Sequence, residues 1–236
     1  MFNSCLKYFY IKQYTLISIE GNIGSGKSTL LKLMQHKYPQ MHYLPEPVNE
    51  WQQINGNPKL NLLASFYNNP NRWAYTMQNY AFYSRLKHWK SVMANLDKSI
   101  ILSERSIQAD KEIFAINGYQ NGLMNQMEFA IYEQFYDWLV QEVFGKQISK
   151  QLIIYLQVNP NICQERMLKR SRNEEKNSIS KDYLIQIHQR HEEWLLGNQN
   201  KDQKILILNG DKEFENDTQQ QQIMFNQINH FFSGLI

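Results

Sequence analysis

The sequence predicts an α/β protein: a doubly wound parallel sheet of about five strands flanked by helices. Three observations point to it. Residues 14–19 are β-branched and apolar; the run from Gly21 to Ser28 fits G-x-x-x-x-G-K-[ST]; Leu30, Leu31, Leu33 and Met34 then recur at helical spacing. Strand, glycine turn and helix in that order are the setting such a motif requires. Short apolar runs at 100–102, 152–156 and 205–208 alternate with helical stretches, as buried parallel strands do. A chain of 236 residues, 42% of them hydrophobic, suits one sizeable core and is too short for two domains of usual size.

The elements follow in order. After the first helix, residues 41–44 read as a strand stopped by Pro45 and Pro47. Asn55-Gly56-Asn57-Pro58 is a turn, and Leu60, Leu62, Leu63 and Phe66 suggest a short helix. Pro70, with Asn69 or Asn71 as cap, opens a long helical pattern over 73–96. A helix over 107–116 is expected to end at Asn117-Gly118, and another to run over 123–143 and stop at Gly145. Asn159-Pro160 opens the helix after the fourth strand, and a charged stretch at 169–176 leads to a helix over 181–196. Ile223, Phe225, Ile228 and Phe231 form the last helical face; the glutamines at 219–222 read as its solvated side.

Composition narrows the class. A net charge of +3 without a long basic run argues against a nucleic-acid partner, and no apolar run reaches the length of a membrane span. Cys5 and Cys163 make neither a metal-ligand spacing nor a disulfide framework, which fits reduced thiols and a cytoplasmic setting. Residues 1–13 carry Lys7 and Lys12 and no acid, and read as a short extension. A mitochondrial leader is the alternative, although arginine is lacking.

The glycine run carries its own chemistry. Gly21, Gly24 and Gly26 can turn successive N–H groups inward around a phosphate, and the helix starting near Lys27 points its positive end at the same anion. Lys27 adds a full charge on the outer phosphates, and the Ser28 hydroxyl suits Mg²⁺. Ligands of open α/β sheets bind outside the carboxyl ends of the strands, so the residues just after each strand matter. These are the phosphate loop, then Glu46, then Glu104-Arg105-Ser106, then Asn159-Pro160 with the arginines beyond. Two acids, several arginines and a phosphate loop form a phosphoryl-transfer constellation. Arg166 and Arg170, four apart, share one helical face, with Arg172 just beyond.

In this order the pieces resemble the deoxynucleoside kinase family, in its deoxycytidine, deoxyguanosine and deoxyadenosine branch. They are Glu20-Gly21-Asn22-Ile23-Gly24-Ser25-Gly26-Lys27-Ser28-Thr29, Glu46-Pro47-Val48 with Trp51, Asn69-Pro70 with Arg72-Trp73 and Gln78, Glu104-Arg105-Ser106, a lid over 166–176, and His188 with His191-Glu192 and Trp194. The first residues, the segment around Asn55-Gly56 and the last twenty or so lie outside the resemblance.

The resemblance implies a P-loop-kinase-like single domain that moves phosphate from ATP to the 5′-hydroxyl of a deoxynucleoside. The loop residues from Gly21 to Thr29 would hold ATP with Mg²⁺ on Ser28 and Glu104; Glu46 would be the general base. Arg105 would donate near the 5′-oxygen, and Arg170 and Arg172 would neutralise the γ-phosphoryl group. Arg166, Glu213 and Phe214 would lie by the donor nucleotide. Gln78 presents an amide to a nucleobase edge, with Trp51 and Phe114 as walls and Tyr67 and Glu175 on the sugar 3′-hydroxyl. Ala81, Arg85 and Asp110 match the branch that disfavours thymidine. The family also implies a homodimer packed through 73–96 and 123–143. His188 and His191, with no third ligand nearby, read as packing or capping groups. The alternatives are a thymidylate-type monophosphate kinase, which would need a further basic group near Glu46, and a non-catalytic nucleotide-binding scaffold.

Overall fold

The computed structural model describes residues 14–95, 100–144, 148–170, 174, 178–197 and 204–233. Five strands, β1 (Tyr14–Glu20), β2 (His42–Leu44), β3 (Ile100–Glu104), β4 (Ile148–Gln157) and β5 (Lys204–Asn209), make one sheet in the order β2-β3-β1-β4-β5. Every pairing is parallel, with Ile17 level with Leu102 on one side and with Leu152 on the other. All five expected strands are present. The central ones are buried on both faces, which is why they read as continuous apolar runs rather than alternating ones.

The helices are α1 (Lys27–Lys37), α2 (Val48–Gln52), α3 (Leu62–Asn68), α4 (Pro70–Asn95), α5 (Ile107–Ala109), α6 (Ile116–Gln120), α7 (Gln126–Phe144), α8 (Pro160–Arg170), α9 (Lys181–Leu196) and α10 (Thr218–Phe231). Residues Asp110–Ala115 continue α5 into α6 as a π-turn. One core lies between the sheet and α3, α4 and α7, around Leu16, Phe82, Trp89, Ile101 and Tyr132. The other lies between the opposite face and α1, α8 and α10, around Ile17, Ile19, Met34, Ile154 and Ile228. Alternation along β1 sorts its side chains between the two. No helix among the described residues is long and apolar enough to cross a membrane.

Helix ends follow their caps. Asn61 accepts from the Ala64 N–H, Asn69 from Arg72, Ser106 from Ala109 and Ser180 from Tyr183. Two expected boundaries move. The helical stretch from Ile107 runs past Asn117-Gly118 to Gln120, because the stop is the second Asn-Gly step: Gly122 has φ +71, and Leu123 N–H bonds the Gly118 carbonyl. Helix α7 begins at Gln126 rather than at 123, because Asn125 and Glu128 cap each other's backbone N–H groups. The glutamine run is not solvated throughout: Gln221 donates to the carbonyls of Phe214 and Glu215.

The two Asn-Gly steps give a direct test. Gly118 is helical and an added Cβ there makes only ordinary contact with Met124, so Gly118→Ala should stabilise by about 0.5–1 kcal/mol. Gly122→Ala, at positive φ, should destabilise by about 1 kcal/mol, both read as shifts in thermal midpoint.

Candidate active site

The phosphate loop spans the gap between β1 and α1 and is wedged between α8 and α9. Gly24 has φ +78, and a Cβ there would lie 2.3 Å from the Cys163 carbonyl oxygen in α8. Gly26 has φ +100, and its missing Cβ leaves room for the Phe214 ring. From the other side, the Asn22 amide donates to the Leu184 carbonyl of α9. Lys27 is buried and its ammonium donates to the Asn22 carbonyl at 2.7 Å, so the loop curls around its own cation. Burial first, then the nearby Arg105, brings the Lys27 ammonium down to about 7, with Glu104 and Glu46 opposing. Ser28 Oγ donates to Glu104 Oε1 at 2.6 Å, which sets two side-chain oxygens side by side in the cleft.

Glu46 stands where β2 ends and α2 has not begun, with a proline on either side. Its Oε1 accepts from Arg85 at 3.0 Å and pairs with Arg105 Nε at 3.2 Å. Burial alone would raise this carboxyl. Arg105, Arg85 and Lys27 outweigh it and hold Glu46 down to about 2.

Arg85, buried on α4, spends its fork on two carboxylates. Besides Glu46 it pairs with Asp110 through Nε at 2.8 Å and Nη2 at 3.2 Å, and donates to the Glu104 carbonyl. These acids keep Arg85 charged, while burial pushes the Asp110 carboxyl up. Asp110 opens the π-turn and Phe114 lies within it; such turns recur at functional sites. Arg105 has φ +62, unusual for a side chain with a Cβ. Its backbone N–H bonds the Ile19 carbonyl, and Ser103 Oγ donates to the Arg105 carbonyl. Its Nη1 donates to the Gly21 carbonyl, and its guanidinium lies 4.7 Å over the Phe114 ring.

One cleft of about 1210 Å³ joins these groups. Lys27, Ser28, Thr29, Ile23, Gly24 and Gly26 line one end, with Arg166, Arg170, Glu213 and Phe214. Glu46, Trp51, Tyr67, Gln78, Ala81, Arg85, Asp110 and Phe114 line the other, and Glu104 and Arg105 lie between. The structure therefore brings together nearly every residue the sequence singled out. Trp51 is fixed by its indole N–H on Ser84 Oγ. Arg172 and Glu175 lie outside the described residues, as do 171, 173 and 176 of the expected lid and residues 1–13 with Cys5. Gly21, Asn22 and Ser25 build the loop from behind rather than line the cleft.

Some side chains do more than expected of them. Arg166 donates to the carbonyls of Ser25, Gly210, Asp211 and Lys212, clamping the phosphate loop to the loop that carries Glu213 and Phe214. Glu213 is exposed and accepts from the N–H groups of Glu215 and Asn216, shaping its own loop. Tyr183 of α9, with its hydroxyl pushed up to about 12 by burial, also lines the cleft and was missed; its place three residues past the Ser180 cap was the available signal. Glu174 was missed too. It accepts from Gln52 and Asn61, which ties the lid to α2 and the start of α3. His191 is buried with Nδ1 on the Ile187 carbonyl, a packing role as expected.

Glu46 sets an acid limit on stability. Its folded value lies below its unfolded one near 4.5, so its stabilising contribution is full above about 4.5 and disappears as pH falls toward 2. Arg85→Met removes one of the three cations, so the Glu46 carboxyl should titrate higher, read by carbon-13 chemical shifts of labelled glutamate.

A family model for deoxynucleoside kinase matches residues 17–233, which includes the closing helix that the motif resemblance left uncovered. Among curated relatives, deoxycytidine kinase 2 of Gallus gallus is 35% identical over 94% of this chain and 92% of its own length. A probable deoxycytidine kinase of Fowlpox virus is 37% identical over 95% and 91%, and the mitochondrial deoxyguanosine kinase of Xenopus laevis 32% identical over 94% and 91%. With the phosphate loop, the clamped Glu46 and the amide-bearing slot in one cleft, this chain belongs to the deoxynucleoside kinase family.

Proposed function

We propose that the cleft transfers the γ-phosphoryl group of ATP to the 5′-hydroxyl of a deoxynucleoside, releasing the deoxynucleoside monophosphate. The observation that carries this reading is the convergence of Lys27, Glu46 and Gln78 on one cavity, read as anion cradle, proton acceptor and base-reading amide. The loop N–H groups and Lys27 take the donor phosphates. Glu46 accepts the hydroxyl proton as the new O–P bond forms and the bond to the departing diphosphate breaks. A carboxylate this acidic is a weak base, which suits a loose transition state that needs positioning more than proton abstraction. Arg105 faces the reacting oxygens, and Arg170 and Arg172 are assigned to the γ-phosphoryl charge. Gln78, Trp51 and Phe114 are assigned to the base, and Tyr67 with Glu175 to the sugar. Asn22, Ile23, Thr29, Arg166, Glu213 and Phe214 complete the donor side.

Ser28 and Glu104 suit Mg²⁺, which takes one or two protein oxygens and keeps the rest of its shell for water and phosphate. Bound there, it would neutralise phosphate charge. Among the described residues no cluster of three His, Cys, Asp or Glu offers an all-protein cage, in keeping with a cation held largely by its nucleotide. The chain is read as one catalytic domain, and the cytoplasm as its compartment rests on cysteine usage.

The monophosphate-kinase alternative is disfavoured by the charges at Glu46. Arg85 is taken up by Glu46 and Asp110, and Arg105 already faces Glu46, whose carboxylate would repel an acceptor phosphate. Arg85 and Asp110 pair and line the same cleft as Ala81; we read them as occupying the space a thymine methyl would need, which favours purine deoxynucleosides or deoxycytidine. Turnover should therefore be seen with those substrates and be poor with thymidine. Glu46→Gln should lower kcat by about 100-fold or more. Arg85→Met/Asp110→Ala should shift preference toward thymidine while lowering kcat, because Glu46 loses a cation. Strong thymidine turnover by the unaltered enzyme overturns the preference, and undiminished turnover by Glu46→Gln overturns the base.

The homodimer rests on a stripe along α7, where Met127, Ile131, Phe135 and Trp138 are 73, 38, 50 and 60% exposed at steps of four, four and three. Tyr83 on the adjacent α4 is 52% exposed. Sedimentation should give a dimer for the native chain and a folded monomer for Trp138→Asp; a native monomer overturns it.

A further inference from the structure

Arg166 stands on the face of α8 that lies against the phosphate loop. A Cβ on Gly24 would meet the Cys163 carbonyl and the Met167 side chain, which flank Arg166 on that face. From there the guanidinium reaches over the loop. Nη1 donates to the carbonyls of Ser25 at 3.2 Å and Gly210 at 2.8 Å, and Nη2 to those of Asp211 and Lys212, both at 3.1 Å. Each terminal nitrogen carries two N–H groups, so all four are engaged with backbone oxygens.

The two loops it joins are otherwise held from different sides. The phosphate loop is set against α8 at Gly24 and tied to α9 by the Asn22 amide on the Leu184 carbonyl. The 210–216 loop hangs from the end of β4 and from α10. Gly210 N–H bonds the Gln157 carbonyl, Asp211 Oδ1 accepts from Asn159 N–H, and Gln221 donates to the carbonyls of Phe214 and Glu215. The two loops meet through Arg166 and through the Phe214 ring, which lies 2.8 Å from where a Gly26 Cβ would stand. The Arg166 guanidinium lies 5.7 Å from the centre of that ring, so both junctions share one place. A planar fork can span carbonyls of two loops at once; the single nitrogen of a lysine cannot reproduce it.

We propose that Arg166 is a positioning residue for the phosphate donor: it sets the spacing between the phosphate loop and the 210–216 loop, so that one donor meets the first with its phosphates and the second with its base. This rests on the donor site proposed above. The fork is spent on carbonyls and holds no phosphate of its own. The phosphate loop keeps its holds at Gly24 and Asn22 when Arg166 is lost, so the phosphates remain gripped. The place of the base relative to them does not. Loss of Arg166 therefore weakens a donor that carries a base and spares one that is phosphate alone.

The test uses the full chain, with Mg·ATP as donor and Mg·tripolyphosphate, which has neither base nor sugar, as competitive inhibitor against ATP. Arg166→Gln and Arg166→Lys should each raise KM for ATP on the order of tenfold, the worth of a hydrogen bond to a charged group, with KM for the deoxynucleoside within about twofold. The inhibition constant of tripolyphosphate should stay within about threefold. Phe214→Leu should also raise KM for ATP, and with Arg166→Gln the two losses should not multiply, because both act at one junction. Equal weakening of ATP and tripolyphosphate overturns the proposal and makes Arg166 a phosphate ligand. An unchanged KM for ATP in Arg166→Gln, or a native KM in Arg166→Lys, overturns it as well. So does failure of tripolyphosphate to inhibit the native enzyme, since the phosphate loop would then not hold phosphates without the base. Should neither Arg166 variant fold, Phe214→Leu decides: ATP weakened with tripolyphosphate spared supports the proposal, and both or neither weakened overturns it. All these outcomes leave the proposed reaction standing, whereas a native chain that phosphorylates no deoxynucleoside with ATP overturns both.

Discussion

Two guanidiniums from different elements meet on one carboxylate oxygen, Glu46 Oε1. Arg85 reaches it from α4 and Arg105 from the end of β3, so a single contact joins the loop after β2, helix α4 and the strand beside the phosphate loop. None of these groups is exposed enough for solvent to take over its pairing, and each would be destabilising alone. The chain of contacts then runs outward from that atom: through Arg85 to Asp110 and the π-turn, and through Arg105 to the Gly21 carbonyl and the phosphate loop.

The rest of the fold serves to keep those ends in register. Parallel strands deliver Glu20, Leu44 and Glu104 to the same edge of the sheet, so the turns that follow converge without long connections. The phosphate loop is held from three directions: by Cys163 against Gly24, by Leu184 on Asn22 and by Arg166 on Ser25. Helices α8 and α9 are therefore both anchored on the phosphate loop.

Much of this was legible in the sequence, and for definite reasons. The strands and the phosphate loop announce themselves because a two-sided buried strand and a glycine turn each have a local signature. Gln78, Arg85, Asp110 and Phe114 carry no such signature; their place in the cleft came from the order of motifs, not from spacing. What escaped was tertiary. Arg166 reads as a phosphate ligand from its distance to Arg170, but its fork is taken up by four carbonyls from two loops. The π-turn at Asp110 and the reciprocal cap at Asn125 and Glu128 shift boundaries by a few residues, and the first of two Asn-Gly steps gave a false stop.

Arg85 has a consequence for how such a site can change. On the proposed reading, the guanidinium that narrows the slot for the base is the same one that keeps the proton acceptor ionised and aimed. Selectivity and turnover would then not be separate traits in this chain. A lineage that widened the slot by losing this arginine would drift toward slower chemistry until another cation arose beside Glu46, so broad and fast variants should be separated by an intermediate that is neither.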